Sequence, residues 1–151
     1  MTWILAPTLL ATAFYALWGA QALLIFLASA FGSVCILEIT NYLEHYGLER
    51  QQMPGGKFEK VSEHHSWNAN TFFANSVYYR LQRHTDHHMH AHRPYWQLEN
   101  IEGAPKLPSG YPVMIMLALL PPVFFCVMNP RVHIYQMLAS VSATNNTALS
   151  D

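Results

Sequence analysis

Charge is what this chain has least of. Only 11% of its 151 residues are Asp, Glu, Lys or Arg, against roughly 25% in an average soluble domain. The first 49 residues hold no Lys or Arg, and residues 3–37 hold no charged side chain at all. This excludes a disordered chain and a strongly basic nucleic-acid binder. The net charge of −1 implies no electrostatic partner. Two cysteines, Cys35 and Cys126, lie in apolar stretches and give no disulfide framework. Met1-Thr2-Trp3 lacks the positive segment that opens a secretory signal. No internal repeat is visible.

Apolar residues and histidine are what the chain has in excess. Hydrophobic residues make up 52%, and the nine histidines outnumber the eight Lys plus Arg. As one helix, residues 3–37 would run about 50 Å at roughly 1.5 Å per residue. A bilayer core is only about 30 Å thick. The sequence therefore predicts a membrane hairpin over residues 3–46, broken near Gly19, with spans near 3–17 and 21–46. The first span is short for a bilayer. Every Lys and Arg falls between Arg50 and Arg131. By the positive-inside rule the segment after Arg50 should be cytoplasmic.

Residues 50–66 read as a loop, with Met53-Pro54-Gly55-Gly56 as a turn, and Ser66, Asn68 and Asn70 are candidate helix starts. From Thr71 to about His92 there is no Pro or Gly, and Pro94 ends the run. A helix is expected there, with Val77, Leu81, His84 and His88 on one face. Residues 93–112 read as a loop. The apolar stretch 113–128 is split by Pro121-Pro122 and reads as two short helical pieces, at the membrane interface or packed on the site. The expected fold is all-α, an integral-membrane helical bundle forming a single domain, with its site region over residues 50–112.

The richest chemical signal is Leu81-Gln82-Arg83-His84-Thr85-Asp86-His87-His88. On a helix, positions three and four apart share a face. His84, His87 and His88 would then aim three imidazoles at one spot, a donor set suited to Zn, Cu, Fe or Ni. Asp86 would orient an imidazole by accepting its other N–H. A second signal closes the long apolar span, where Glu38, Asn41, Tyr42 and His45 form a polar stripe on a greasy helix. Ionisable groups within a span usually mark function, although a helix reaching the interface gives the same pattern. His64, His65, His90 and His92 are weaker candidates, and His133 is background.

At these segments the chain resembles the integral-membrane alkane 1-monooxygenases. Asn41-Tyr42-Leu43-Glu44-His45-Tyr46-Gly47-Leu48 is similar to their HYG motif, which sets them apart from membrane desaturases. His65-Ser66-Trp67-Asn68-Ala69-Asn70 resembles the segment before their last histidine box, and Leu81 to His88 resembles that box. Gly103-Ala104-Pro105-Lys106-Leu107-Pro108-Ser109-Gly110 and Met128-Asn129-Pro130-Arg131-Val132 resemble the stretches that follow. The likeness covers about residues 20–132.

The resemblance implies the last part of a six-helix membrane fold, with a cytoplasmic histidine-bearing helix, in a bacterial inner membrane. It implies two irons held by histidines and hydroxylation of the terminal methyl of an alkane with dioxygen. Electrons would come from a rubredoxin and its reductase. His45, His84, His87 and His88 match ligand positions. Glu38, Glu44 and Asp86 match acidic neighbours of the ligands. The family's two earlier boxes, of the types HELxHK and EHxxGHH, do not occur here. The chain is therefore expected to be a C-terminal portion with about half of a metal site, inactive alone. The alternatives are a related hydroxylase of aryl methyl or fatty acyl substrates, and an inactive metal-binding fragment.

Overall fold

The computed structural model describes the backbone of residues 2–53 and 55–148, and the side chains of residues 3–53 and 55–138. Helix α1 (Thr2–His45) is interrupted at Gly19, whose φ of 78° and ψ of −171° belong to a region that only glycine adopts cheaply. The rings of Phe14 and Phe26 stack with centroids 5.1 Å apart. Twelve residues of straight helix would separate them by about 18 Å. The chain therefore folds back at Gly19, as the sequence predicts, and α1 is a hairpin with arms 2–18 and 20–45.

This hairpin has almost no polar demands. Thr8, Thr12 and Ser33 donate their hydroxyls to the carbonyls four residues earlier, which satisfies them without water. Trp3, Leu9, Trp18 and Phe31 are exposed. Exposed apolar surface this continuous marks contact with a membrane or with further apolar helices. By length and composition, Trp3–His45 is the one helical stretch among the described residues suited to a membrane, taken with its bend at Gly19. No strand forms among the described residues, only isolated bridges at Gln52↔Phe58 and Asn68↔Lys106.

The chain divides into two bodies, one ending at Ile39 and one beginning at Thr40. The second body holds α2 (Phe72–Val77), α3 (His84–Met89), a 3₁₀ turn (Tyr95–Gln97), α4 (Tyr111–Ala118) and α5 (Pro121–Ala148). Its core gathers Leu43, Trp67, Leu107, Tyr111, Met114, Phe124, Met128 and Val132. Tyr46 and Gly47 fasten the end of α1 to α5. The Tyr46 hydroxyl donates to Asn129 at 2.6 Å, and the Trp67 indole donates to the Tyr46 carbonyl at 2.7 Å. A Cβ on Gly47 would stand 2.6 Å from Val132 Cγ1, and Gly47 has a φ of +69°.

Two expectations are corrected here. The helix expected over residues 71–92 is two short helices, because Tyr79 and Arg80 take positive φ values of 50° and 58°. The break lets Gln82 turn inward, where its amide donates to the Thr71 carbonyl and the Asn75 side chain. The apolar stretch after residue 113 does split at Pro121, but α5 continues far past residue 128. Pro121 and Pro122 occupy its first turn, where no N–H is needed.

Candidate metal centre

His45 is the last residue of α1, and its Nδ1 lies 3.3 Å from the carbonyl of His65. A carbonyl only accepts, so Nδ1 carries the proton and Nε2 is left with a lone pair. The His65 ring is itself fixed, with Nε2 2.9 Å from Glu59 and Nδ1 accepting from the Ser62 N–H at 2.9 Å. His84 opens α3 and His88 follows one turn later. Arg83 gives α3 no side-chain cap. Asn68 takes over that task from 17 residues away, accepting from the Thr85 N–H at 2.9 Å. Ser66 and Asn68 both bond the Thr85 hydroxyl, and all three residues are buried.

The result is a convergence of ring nitrogens. Nε2 of His84 lies 3.1 Å from Nε2 of His45 and 2.8 Å from Nε2 of His88. Together the three form a donor set able to hold a metal ion. A neutral imidazole carries one N–H, so ring protons leave at least one pair of lone pairs opposed in such a cluster. One cation satisfies all of them. Two donors at about 2.1 Å from one ion, at right angles, would lie about 3.0 Å apart. The nitrogens therefore fit a metal.

Electrostatics favour the donor form. Burial, reinforced by His88, His45 and His87, pushes His84 from 6.5 down to about 3. Burial, then His45 and His87, also lowers His88. Behind His84, Nδ1 is buried without a hydrogen bond. The nearest carboxylate oxygen, Glu44 Oε1, is 3.3 Å away but misaligned. That same oxygen accepts the phenol proton of Tyr111 at 2.5 Å. Burial and the Glu44 carboxylate raise the Tyr111 phenol well above 10, so it stays a donor. An open pocket of about 250 Å³ adjoins the cluster, lined by His45, Leu48, Arg50, Val61, His65, Ser66 and His88.

Not every expected residue joins the cluster. His87 is exposed, as is His88, but its ring nitrogens do not converge with the other three; its centroid lies 6.1 Å from His84 and 5.7 Å from His88. Glu38 is exposed on the first body. Asp86 is fully buried, but its partners are the His90 ring at 2.7 Å, the Arg93 guanidinium and the Glu99 N–H. Burial pushes its carboxyl up, yet these partners outweigh burial and hold it below its usual range. Asp86 thus pins the loop after α3 rather than any of the three clustered rings. His64, His92 and His133 are exposed. The sequence reading missed Thr85, Gln82 and Tyr111, none of which carries a recognisable spacing. Ser66 and Asn68 were legible as helix starts and as part of the 65–70 motif, but not as partners of Thr85.

Comparison with known proteins gives this cluster a context. Residues 1–118 match the fatty acid desaturase family. The chain belongs to that family. Within it, the chain is similar to alkane 1-monooxygenase 2 of Alcanivorax borkumensis, 47% identical over 133 residues. It is 44% identical over 133 residues to alkane 1-monooxygenase 1 of Pseudomonas aeruginosa. Each match covers 88% of this chain and 35% of the relative. The chain thus spans about a third of the length of these relatives. The hydroxylase component of a xylene/toluene monooxygenase of Pseudomonas putida is 31% identical over 71% of this chain and 28% of its own length. Family and apolar hairpin together make this an integral-membrane chain.

Proposed function

We propose that this chain is part of a membrane non-haem di-iron alkane 1-monooxygenase, and that His45, His84 and His88 hold one of its irons. The supporting observation is the convergence of three Nε2 atoms at 2.8 and 3.1 Å, in a chain 47% identical to a protein named alkane 1-monooxygenase. His87 sits next to the cluster, facing outward, and is proposed as a donor to the second iron. When bound, the irons would supply activation of dioxygen toward the terminal methyl of an alkane. The chain's residues do the rest. The His65 carbonyl fixes the His45 tautomer, Asn68 and Thr85 fix the start of α3, and Glu44 backs His84. Asp86 supports the centre indirectly, by holding the loop after α3, and Glu38 lies with the membrane hairpin.

On this reading residues 3–46 form a hairpin of a six-helix fold in a bacterial inner membrane. Residues 50–112 carry the site on the cytoplasmic side, and residues 113–128 begin the apolar packing behind it. All 151 residues then act as one partial domain. Electrons would arrive from a rubredoxin and its reductase. The similarity to a xylene/toluene hydroxylase component favours a second reading, oxidation of an aryl methyl, at lower identity.

A chimera tests both. The aligned 133 residues of the Alcanivorax borkumensis relative would be replaced by those of this chain and supplied with rubredoxin and reductase. The expected product from octane is 1-octanol, with loss of product on His84→Ala. A chimera that folds and binds iron but oxidises p-xylene alone would favour the second reading.

A further inference from the structure

We propose that Tyr111 is a positioning residue for the metal centre, setting through Glu44 which nitrogen His84 presents to the cluster. The proposal rests on the reading that His45, His84 and His88 hold a metal. His84 has two ring nitrogens and one proton when neutral. Only the tautomer protonated on Nδ1 leaves Nε2 free to bind. Nδ1 is buried without a hydrogen bond, and the acceptor nearest it is Glu44 Oε1, 3.3 Å away. An acceptor oxygen this close favours the proton on Nδ1 by charge even without an aligned hydrogen bond, provided it stays in place.

Tyr111 keeps it there. Its phenol is buried and donates to Glu44 Oε1 at 2.5 Å, with the Leu81 carbonyl a second, longer neighbour at 3.3 Å. The phenol has one proton, and the shorter bond, to Glu44, takes it. Leu81 lies three residues before His84, so this hydroxyl touches both the carboxylate and the strand of chain that delivers His84. The sequence arranges this through Gly110. A Cβ there would meet Thr71 Oγ1 at 2.8 Å and Gln82 Oε1 at 3.4 Å. Only a residue without a side chain lets α4 begin this close to the segment leading into His84. Outer partners of metal-binding imidazoles commonly matter about 10–100-fold in affinity.

The test is made on the 151-residue chain in detergent, with Co²⁺ as the probe metal. Tyr111→Phe keeps the ring and removes the hydroxyl, so a role in packing alone predicts no change. The expected result is Co²⁺ binding weakened about tenfold, at the low end of the outer-partner range. Nitrogen NMR of the metal-free chain should show wild-type His84 protonated on Nδ1, and a mixture of tautomers in Tyr111→Phe. Glu44→Gln, which retains the side chain's shape, should shift the tautomer in the same direction and covers the case in which Tyr111→Phe folds poorly. Unchanged Co²⁺ affinity together with an unchanged His84 tautomer in a folded Tyr111→Phe would overturn the proposal. Wild-type Co²⁺ affinity that survives His84→Ala would instead overturn the underlying three-histidine reading, and the role of Tyr111 with it.

Discussion

Replacing Gly47 by Ala should be among the most damaging single changes in the second body. Two costs add. Gly47 has a φ of +69°, and holding a residue with a Cβ in that sparsely populated region costs about 1–3 kcal/mol. The new methyl would also stand 2.6 and 2.7 Å from the two Cγ atoms of Val132, well inside the roughly 3.5–4.0 Å at which carbons pack comfortably. Overpacking of this kind costs about 1–3 kcal/mol. The total of about 2–6 kcal/mol is a large share of a stability that is typically about 5–15 kcal/mol. At about 2–4 °C per kcal/mol for a chain this size, the melting midpoint should drop by roughly 4–24 °C. Near-UV circular dichroism in detergent measures it, since Tyr46 and Trp67 lie at this joint. In a Val132→Ala background the two Cγ clashes disappear and only the 3.3 Å approach to Cβ remains, so Gly47→Ala should cost little more than the backbone part of about 1–3 kcal/mol there. An equal cost in both backgrounds would refute the packing argument, and no cost in either would refute the whole account of the joint.

Three further outcomes are expected. The metal-free protein should lose stability as pH falls below about 6.5, because the unfolded chain protonates His84 first, and the loss should continue toward the folded value of about 3. Melts at pH 7 and pH 5 should show a smaller difference in His84→Asn than in the wild type. Asp86→Asn removes the anionic partner of Arg93, His90 and the Glu99 N–H, and should cost about 3–5 kcal/mol, with faster proteolysis between His90 and Glu99. Lys57→Cys should be labelled from the cytoplasmic side of intact cells' membranes, and labelling only from the other side would reverse the proposed topology.

The hairpin was legible because its cause is local. A charge-free run too long for one span must turn, and Gly19 is where the backbone can turn cheaply. The His84–His88 pair was legible for the same reason, being one helical turn apart. What surrounds it was not. Nothing in residues 71–92 forbids a single helix, and buried Gln82 and the positive φ values at Tyr79 and Arg80 are set by tertiary contacts. The polar stripe on α1 marked Glu38, Asn41, Tyr42 and His45, of which His45 joins the cluster and the other three are exposed. Periodicity reports the polar face of a helix, whereas Glu44 lies on the face buried with Leu43. Resemblance, not pattern, identified Glu44. Tyr111 is 67 residues from Glu44 in the chain, and no local signal joins them.

The most direct measurement is a Co²⁺ titration of the purified chain in detergent at pH 7.5, followed by visible absorption, for the wild type and for His45→Ala, His84→Ala and His88→Ala. Three convergent imidazoles predict one ion per chain, with affinity falling at least tenfold in each variant and no such loss in His133→Ala, whose ring is exposed and outside the cluster. Binding that is unaffected by all three substitutions, or equally weakened by His133→Ala, would contradict the assignment of His45, His84 and His88 as the metal centre.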